Sequence, residues 1–460
     1  MILSLAQFQT FRPKRPTFAL FGFPVAHSVS PQLHAALFEH SGQQADYIAV
    51  EVRPEELQAA FSLAREKLCG CNLTIPHKIN VLPLLDTIEP DAAALGSVNT
   101  VLFRDGRACG FNTDLFGMDL AFARDNVSLK EKQVLVLGNG GVSAMAAYLC
   151  AKQGANVTVC ARRPQSEGAL RLKDLLSRAG YSIALTDFLH IPSGIQIVLN
   201  GTPVGMSPEE GNAPLSLANC PQAEYVFDCI YNPRRTLLLQ EAAKRQIPRQ
   251  DGLLMLVGQA ARAQELWFSS RFDVHPLDSA LERLAAQLMF KRLHERHKKE
   301  NLVLCGFMGC GKTSVAKRTG TLLGIQPLDT DLLVEQREGR AISEIFKEHG
   351  EEAFRRLEHE AVLEAASRKG AVIALGGGAV LDPRNVEALQ KNGLIVWLDT
   401  PIERITELLK GDKTRPLARG GESALTARYI SRVPVYERAC DIRVSGATVE
   451  DLCRELYESI

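Results

Sequence analysis

Apolar and polar positions alternate along the chain in a way that predicts two series of buried strands separated by helices. The first series consists of the short apolar runs TFALFG, YIAVEV, CGCNLTIP, QVLVLG, NVTVCA, IQIVLN and YVFDCI. Most segments between these runs carry apolar residues at i, i+3 and i+4, which is the spacing of one helix face. A second series begins at NLVLCGF (301–307) and continues through VIALGGG (372–378) and LIVWLD (394–399). Strands alternating with helices predict α/β domains with doubly wound parallel sheets.

The two series also predict the domain organisation. A helical pattern begins near Leu253 and ends in the charged run LMFKRLHERHKKENL, so we place the boundary between the series near residue 296. That run suits a solvated helix end and a linker equally well. We expect three parts: an α/β lobe at 17–117 to which the helices of 252–290 return, a second α/β lobe at 118–251, and an α/β domain at 297–460.

Composition narrows the class of protein. Of the 460 residues, 46% are hydrophobic and 23% are charged, a balance that allows sizeable buried cores. The formal net charge is zero, which removes the simplest argument for a nucleic-acid or anionic-membrane partner. Residues 1–16 lack the pattern of a secretion signal and no apolar stretch approaches the length of a membrane span. We interpret 1–16 as a short variable extension.

The eleven cysteines are scattered along the chain. The closest pair, Cys69 and Cys71, lies in a strand-like run and suits buried thiols better than a zinc site, because no second pair follows it. Scattered thiols without a small disulfide framework are typical of a reducing cytoplasm.

Residues 306–313 read GFMGCGKT, a complete phosphate-binding loop of the form G-x-x-x-x-G-K-T. An apolar strand precedes the loop and a helical pattern follows it, so the backbone amides and the helix N-terminus can face a phosphate group. Lys312 is expected to reach the β- and γ-phosphates, and the Thr313 hydroxyl is expected to ligate Mg²⁺. The predicted ATP contacts in this loop are Gly309, Cys310, Gly311, Lys312, Thr313 and Ser314.

The motifs that follow the loop resemble those of the shikimate kinase family over essentially all of 300–460. They read DTD at 329–331, FRRLE with Arg355 and Glu358, GGG at 376–378, TRPLA with Arg415, and SRVPVYERA with Arg432. Taken singly, the aspartates would be read as turn formers and each arginine as a surface residue. A guanidinium is nevertheless the natural bidentate partner of a substrate carboxylate.

The resemblance implies a role for each of these residues. Asp331 would hold the hydroxyls of the acceptor, and Asp329 would lie nearer the water shell of Mg²⁺. Gly377 would contact the substrate, and Arg355 and Arg432 would bind its carboxylate. Arg415 would lie over ATP on a mobile lid around 409–425.

Residues 135–143 read LVLGNGGVS, a strand that enters a glycine-rich turn and then a helix. This is an imperfect dinucleotide fingerprint, because Ser143 stands where the third glycine would be, and an ordinary tight β–α turn fits it equally well. The next strand ends in Ala161, Arg162 and Arg163, with no acidic residue to bind a ribose 2′-hydroxyl. Two guanidinium groups suit a 2′-phosphate, which predicts NADP rather than NAD.

Seven further motifs, in order along residues 17–290, resemble the shikimate dehydrogenase family. They are GFPVAHSVSP, NLTIPHK, GSVNT, GFNTDLFG, NGTPVGM, DCIYNPRRT and GLLMLVGQA. The strand end reads ARRP rather than the family's usual Asn-Arg-Thr, so Arg163 is expected to share the work of Arg162.

In this family a lysine and an aspartate form the catalytic centre, which implies Lys78 and Asp114 here. Reducing a ketone needs a proton on oxygen, and an ammonium held by a carboxylate can donate it. Lys78 alone would be read as an exposed lysine. The resemblance implies substrate contacts from Ser28, Ser30, Thr74, Lys78, Asn99, Asp114, Tyr231 and Gln259. It implies NADP contacts from Gly138, Asn139, Gly140, Gly141, Val142, Ala161, Arg162, Arg163, Ile230, Gly252 and Met255.

These motifs together predict a bifunctional enzyme of aromatic amino-acid biosynthesis in the cytoplasm. Its expected cofactors are NADP(H) and Mg²⁺, with ATP as a co-substrate, and its expected partners are 3-dehydroshikimate, shikimate and ATP. We expect no nucleic-acid or membrane partner, and the sequence leaves the oligomeric state open. One alternative is a quinate/shikimate dehydrogenase that uses NAD. Another is that one half is a non-catalytic sensing or scaffolding module.

Overall fold

The computed structural model describes residues 1–26, 28–271, 274–410 and 421–460, and its strands form three sheets. The chain divides into two compact units, Met1–Leu281 and Glu282–Ile460. The first two sheets lie in the first unit and the third sheet lies in the second.

The first sheet has seven strands in the order β1-β3-β2-β4-β6-β7-β5. Its strands are β1 (Ile2–Ser4), β2 (Thr17–Gly22), β3 (Asp46–Glu51), β4 (Gly70–Leu73), β5 (Thr87–Ile88), β6 (Thr100–Arg104) and β7 (Arg107–Phe111). Its helices are α1 (Leu5–Thr10), α2 (Ser30–His40), α3 (Leu57–Lys67), α4 (His77–Asn80), α5 (Pro90–Leu95) and α6 (Thr113–Arg124).

The expectation of parallel sheets is wrong for part of this sheet, because β6 runs antiparallel to both β4 and β7. The reason is the two-residue turn between β6 and β7. Asp105 and Gly106 both have positive φ, at 52° and 74°. An Asp-Gly pair in this conformation closes a tight hairpin and reverses the chain.

Residues 1–16 are not merely an extension. Strand β1 pairs in parallel with β3, and Ser4 and Gln7 form a capping box at the start of α1. The Phe8 ring is fully buried in the core of this sheet. The Lys67 ammonium lies over that ring and donates to the carbonyls of Phe8 and Gln9. The N-terminal segment is therefore part of the first sheet and its core.

The second sheet has six parallel strands in the order β10-β9-β8-β11-β12-β13. This is the order of a dinucleotide-binding domain, with the ligand crevice where the order reverses beside β8. Its strands are β8 (Gln133–Leu137), β9 (Asn156–Cys160), β10 (Ala184–Thr186), β11 (Ile197–Asn200), β12 (Tyr225–Asp228) and β13 (Arg249–Gln250). Its helices are α7 (Gly141–Lys152), α8 (Glu167–Arg178), α9 (Leu237–Lys244) and α10 (Leu253–Phe268).

The helical pattern from Leu253 is interrupted. Helix α10 ends at Ser269, which has a left-handed conformation with φ 52°, and α11 (Val274–Glu295) begins after it. The division between the two compact units falls inside α11, upstream of residue 296. The predicted limits 17–117, 118–251 and 297–460 stay predictions.

The third sheet has five parallel strands in the order β15-β16-β14-β17-β18. Its strands are β14 (Asn301–Cys305), β15 (Leu328–Asp329), β16 (Val372–Ala374), β17 (Gly393–Asp399) and β18 (Ile442–Ser445). Its helices are α12 (Lys312–Leu323), α13 (Thr330–Glu338), α14 (Ile342–Ser367), α15 (Pro383–Asn392), α16 (Ile402–Leu409), α17 (Gly421–Ala439) and α18 (Val449–Ser459). Most of the predicted lid, with Arg415, lies outside the described residues.

All eleven cysteines are free thiols. Within the described ranges no group of three or more His, Cys, Asp and Glu side chains is arranged to hold a metal ion. Of the helices described, none combines the length and the apolar character needed to cross a membrane.

Candidate functional sites

The predicted catalytic pair is brought together by two helices that follow strands β4 and β7 of the first sheet. Lys78 lies on the single-turn helix α4 and Asp114 lies in the first turn of α6. The Lys78 ammonium donates to Asp114 Oδ2 at 2.6 Å, and both side chains are partly exposed, at 29% and 19%. A carboxylate near a helix N-terminus is favoured by the helix dipole. The arrangement gives a solvent-accessible ammonium with one fixed partner.

The residue before Lys78 anchors it. The buried His77 ring donates through Nε2 to the Val52 carbonyl at 2.7 Å, and burial lowers the pKa of His77. The backbone carbonyl of Lys78 also accepts from Val98 N at 2.8 Å. No role for His77 was predicted from the NLTIPHK motif, because the motif itself carries no signal for burial of the ring.

Asn99 lies in a buried polar network that sets the start of α6. Its Oδ1 accepts from Thr113 N at 2.8 Å, from Thr100 Oγ1 at 3.0 Å and from Thr113 Oγ1 at 3.2 Å. Asn72 donates to Thr100 Oγ1 at 2.9 Å, and Tyr47 OH donates to Asn72 Oδ1 at 2.8 Å. Because the Asn99 oxygen already has three donors, its amide group can serve a substrate only as a donor.

Gln259 and Met255 approach the same helix as Asp114. Gly117 lies three residues after Asp114, and a β-carbon there would overlap the Met255 carbonyl and come within 3.0 Å of Gln259 N. The glycine therefore allows α10 to pack directly against α6. The Gln259 side chain, through Nε2, donates to the Leu256 carbonyl at 2.9 Å.

The other predicted substrate residues have contacts of their own but, among the described residues, none with the catalytic pair. Ser28 Oγ donates to Ser30 Oγ at 3.2 Å at the start of α2. The methyl group of Thr74 packs against Gly22, at the end of β2. Tyr231 follows β12, and burial raises the pKa of its hydroxyl. None of the contacts described for Ser28, Ser30, Thr74 and Tyr231 joins them directly to Lys78. Their shared role in substrate binding therefore stays a prediction.

The glycine-rich turn has open space where a dinucleotide would lie. Gly140 caps α7 and Gly141 begins it, and a β-carbon at either position would meet nothing within 4 Å. Gly138 has a positive φ of 95°, which favours glycine. Asn139 Nδ2 donates to Ser166 Oγ at 3.3 Å, and Val142 is exposed.

The predicted 2′-phosphate residues follow β9. Ala161 is buried, whereas Arg162 and Arg163 are exposed. Within the part of the chain that the structure describes, neither guanidinium has a hydrogen bond or an ion pair. Both are therefore available to an anionic ligand.

Asp228 is a residue that the sequence analysis missed. It ends β12 fully buried and accepts from Asn200 Nδ2 at 2.9 Å, Ile230 N at 3.1 Å and Thr236 Oγ1 at 2.7 Å. Burial raises the pKa of Asp228 to about 6, against the opposing effect of these donors. Ile230 in turn accepts from Gly252 N at 3.0 Å. Asp228 therefore organises the segments after β12 and β13 that contain Ile230 and Gly252. This role becomes visible only from the burial and the hydrogen bonds of Asp228 in the folded chain.

The phosphate-binding loop follows β14. Gly306, Gly309 and Gly311 have positive φ values of 144°, 80° and 97°. The buried Lys312 ammonium donates to the carbonyls of Gly306 and Phe307, each at 2.9 Å. The loop is thus curled around its own lysine. Gly309, Cys310, Gly311, Lys312, Thr313 and Ser314 follow one another through this loop into α12.

Thr313 and Asp329 meet beside the loop. Thr313 Oγ1 donates to Asp329 Oδ2 at 2.7 Å. Asp329 Oδ1 caps α13 by accepting from Asp331 N at 3.0 Å and Leu332 N at 3.3 Å. A hydroxyl and a carboxylate oxygen next to a phosphate site are a donor set that fits Mg²⁺.

The predicted acceptor-site residues of the second unit converge on the three glycines 376–378. A β-carbon on Gly376 would overlap Asp331 Oδ1 and come within 2.7 Å of Glu358 Oε1. A β-carbon on Gly378 would overlap the Arg355 guanidinium. The Gly377 carbonyl accepts from Arg432 Nη1 at 3.1 Å and from Tyr436 OH at 2.9 Å.

Glu358 organises this cluster and had no role in the sequence analysis. It is buried and accepts from Arg355 Nη1 at 2.6 Å. Burial raises the pKa of Glu358, although the neighbouring Arg355 opposes the change. The Glu358 carboxylate therefore fixes one side of Arg355. Glu351 Oε1 accepts from Arg355 Nη2 at 2.8 Å and from Arg355 Nε at 3.3 Å, which leaves one N–H on each of the two Nη atoms for an anion.

These two units define a dinucleotide-dependent oxidoreductase joined to a P-loop kinase. The family model "Shikimate dehydrogenase substrate binding domain" matches residues 20–101, and the model "Shikimate kinase" matches 308–460. The "Shikimate dehydrogenase (NADP(+))" of Geobacillus sp. (strain WCH70) is 39% identical over 253 residues, which are 54% of this chain and 91% of that protein. The chain belongs to the shikimate dehydrogenase family and carries a shikimate kinase domain, so the expected fusion is confirmed.

Other similarities agree with this assignment. The "Shikimate dehydrogenase (NADP(+))" of Methanocaldococcus jannaschii is 33% identical over 273 residues, covering 58% of this chain and 96% of that protein. The crystal structure of shikimate 5-dehydrogenase from Thermus thermophilus in complex with NADP(H) and shikimate aligns with a TM-score of 0.53 and 33% identity. That alignment covers 58% of this chain and 99% of the other.

Proposed function

We propose that this chain catalyses two consecutive reactions of aromatic amino-acid biosynthesis. The first unit reduces 3-dehydroshikimate to shikimate with NADPH, and the second transfers the γ-phosphate of ATP to shikimate, giving shikimate 3-phosphate. The observation that carries the proposal is the presence of both catalytic constellations in one chain. Lys78 bonds Asp114 at 2.6 Å, and Asp331, Arg355 and Glu358 surround the glycines 376–378.

In the first unit, Lys78 handles the proton. NADPH, when bound, supplies a hydride to the carbonyl carbon of the substrate. The Lys78 ammonium donates a proton to the carbonyl oxygen, and in the reverse direction the amine accepts it from the hydroxyl. Asp114 holds the ammonium in place. Thr74, Asn99, Asp114 and Gln259 form hydrogen bonds with the substrate hydroxyls. Tyr231 closes the pocket, and Ser28 and Ser30 donate to the carboxylate.

The residues of the second sheet fit NADP(H). The open N-terminus of α7 at Gly140 and Gly141 presents backbone amides to the pyrophosphate. The exposed Arg162 and Arg163 would bind the 2′-phosphate, with Ala161 below them. Gly138, Asn139 and Val142 form the turn beneath the nucleotide, and Ile230, Gly252 and Met255 line the nicotinamide side.

In the second unit, Lys312 and the loop amides bind the ATP phosphates, and Arg415 is proposed to cover them. Mg²⁺, when bound, neutralises charge on the phosphates; Thr313 would ligate it directly and Asp329 through its water shell. Asp331 orients the acceptor hydroxyl and accepts its proton. Arg355 and Arg432 bind the shikimate carboxylate, and the bare backbone of Gly377 allows the ring to approach closely.

Two assays on the purified full-length chain test the proposal. Shikimate oxidation is followed by NADPH absorbance, and phosphorylation is followed by ADP release that depends on shikimate. Lys78→Ala should lower the first rate by about 10²- to 10⁴-fold and leave the second unchanged, since general acid–base catalysis contributes that much. Lys312→Ala should do the reverse, so each variant is the control for the other. An intact rate in either variant would favour a non-catalytic role for that unit.

The quinate alternative is tested by the same oxidation assay. Quinate with NAD⁺ is compared with shikimate and NADP⁺, and faster turnover of quinate would overturn the assignment. Arg162→Ala and Arg163→Ala should each raise KM for NADP⁺ and leave KM for NAD⁺ unchanged. Arg178→Ala, which removes an exposed guanidinium at the end of α8, is the matched control.

We also propose that the enzyme works in the cytoplasm with small-molecule partners alone. The eleven free thiols support a reducing compartment. The balanced charge supports the absence of nucleic-acid and membrane partners.

A further inference from the structure

The second half of helix α11 belongs to the compact kinase unit, although the matched shikimate kinase model begins only at residue 308. Apolar residues spaced three and four apart form a buried face on this part of the helix. They are Leu284, Ala285, Leu288, Met289 and Leu293. These side chains are buried, and residues from Glu282 onward make most of their contacts within the second unit.

One guanidinium joins this segment to two other helices. Arg318 on α12 donates to both carboxylate oxygens of Glu282, Nε at 2.6 Å and Nη2 at 2.9 Å. Its third nitrogen donates to Glu450, in the first turn of α18, at 2.6 Å. The hydrogen bond to Glu282 is the largest influence on the pKa of Arg318 and raises it. The bidentate pair fixes both the position and the orientation of the Arg318 side chain.

A second contact involves Ile460, which follows α18. Arg292 is buried and donates through Nε to the backbone oxygen of Ile460 at 2.7 Å. Helix α18 also contacts α12 directly, because Thr319 Oγ1 and Tyr457 OH lie 3.0 Å apart. The segment from Glu282 to Glu295 thus contacts α12 through Glu282 and the residue that follows α18 through Arg292.

We propose that residues 282–295 brace the P-loop helix, with Glu282 and Arg318 as positioning residues for the ATP site. Helix α12 begins at Lys312 and contains Arg318. Because the helix is rigid, the orientation that Glu282 gives it at Arg318 also sets the positions of Lys312 and Thr313. The kinase of this chain therefore depends on a segment that precedes the region matching its family. The inference rests on the proposed kinase function.

The test compares two glutamates that contact the same guanidinium in the full-length chain. Glu282→Gln should raise KM for ATP about tenfold, the loss expected when a charged hydrogen bond is removed. Glu450→Gln is the matched control, because its carboxylate side chain is 67% exposed, and it should stay within twofold. The rate of shikimate oxidation should be unchanged in both variants.

A charge exchange separates positioning from loss of stability. Glu282→Arg combined with Arg318→Glu restores the pair when Glu450→Gln is also present, because the new carboxylate at position 318 would otherwise face Glu450. In this combination KM for ATP should return to within threefold of wild type. Should Glu282→Gln unfold the unit, Arg318→Lys keeps the charge without the bidentate geometry and should give an intermediate KM. A KM for ATP that does not change in Glu282→Gln, or changes equally in Glu450→Gln, overturns the inference. A wild-type chain that does not phosphorylate shikimate overturns the proposed function instead.

Discussion

Gly201 lies against Ser143 so closely that a β-carbon at position 201 would come within 2.5 Å of Ser143 Oγ and 2.9 Å of Ser143 N. Ser143 stands where a dinucleotide fingerprint has its third glycine, whose role is close packing of helix on strand. Here the glycine is on the neighbouring strand end instead. The close approach of α7 to the sheet is preserved, and Ser143 Oγ donates to the carbonyls of Leu137 and Gly201.

This relationship predicts the effect of Gly201→Ala. The added methyl group would push the first turn of α7 away from β11 and displace the amides of Gly140 and Gly141. We expect KM for NADP⁺ to rise at least about tenfold, since over-packing a tight contact costs about 1–3 kcal/mol. The kinase rate should not change. Gly211→Ala is the control, because a β-carbon there meets nothing within 4 Å; equal effects of the two variants would refute the packing argument.

The raised pKa of Asp228 predicts that the free energy of unfolding depends on pH. Its folded pKa of about 6 lies above the ordinary 3.8, so the folded state binds the proton more tightly than the unfolded chain. The stabilisation is fully present below pH 3.8 and is lost as the pH rises through about 6. The shift corresponds to a change on the order of 3 kcal/mol.

Asp228→Asn tests this dependence, because the amide keeps the shape and can still accept from Asn200 and Ile230. The melting temperature of the variant minus that of wild type should be larger at pH 7.5 than at pH 4.5. Asp105→Asn, at an exposed turn where asparagine tolerates the positive φ, should show no such trend. A difference between Asp228→Asn and wild type that is the same at both pH values would contradict the prediction.

The sequence predicted the parallel sheets well because buried parallel strands are continuous apolar runs, as in β8, β14 and β17. It missed β1, whose three residues carry too little pattern to be recognised, and it also missed the antiparallel hairpin of β6 and β7. Lys78 and Asp114 could be paired only through the family resemblance, since nothing in a spacing of 36 residues brings two side chains together. Asp228 and Glu358 were missed because their importance comes from burial and partners, which appear only in the folded chain.

Arg355 and Arg356 are adjacent on α14 but differ in surroundings. Arg355 lies beside Gly378 and bonds the buried Glu358, whereas the Arg356 side chain is 69% exposed. Arg355→Lys should raise the kinase KM for shikimate by about tenfold or more, because lysine cannot reproduce the bidentate contact with a carboxylate. Arg356→Lys should leave that KM unchanged. Equal KM values for shikimate in the two variants would contradict the assignment of Arg355 to the acceptor site.

Asp329 performs two tasks with its two oxygens, and one substitution separates them. Oδ1 caps α13, and Oδ2 accepts the Thr313 hydroxyl at 2.7 Å. Asp329→Asn keeps an oxygen for the cap but replaces the other with an amide group, which neither accepts from Thr313 nor favours Mg²⁺. We therefore expect the melting temperature to stay close to wild type, while the Mg²⁺ concentration for half-maximal kinase rate rises about tenfold, as for the loss of one charged contact.

Asp382→Asn is the matched control for this prediction, because Asp382 caps α15 in the same way through the amide of Arg384 at 2.9 Å. It should leave the Mg²⁺ dependence unaltered. Asp329→Ala removes both tasks and should also lower stability, by about 1 kcal/mol for the lost cap. An unchanged Mg²⁺ requirement in Asp329→Asn would mean that Asp329 serves only as a helix cap, and Thr313 would then have to hold the metal without it.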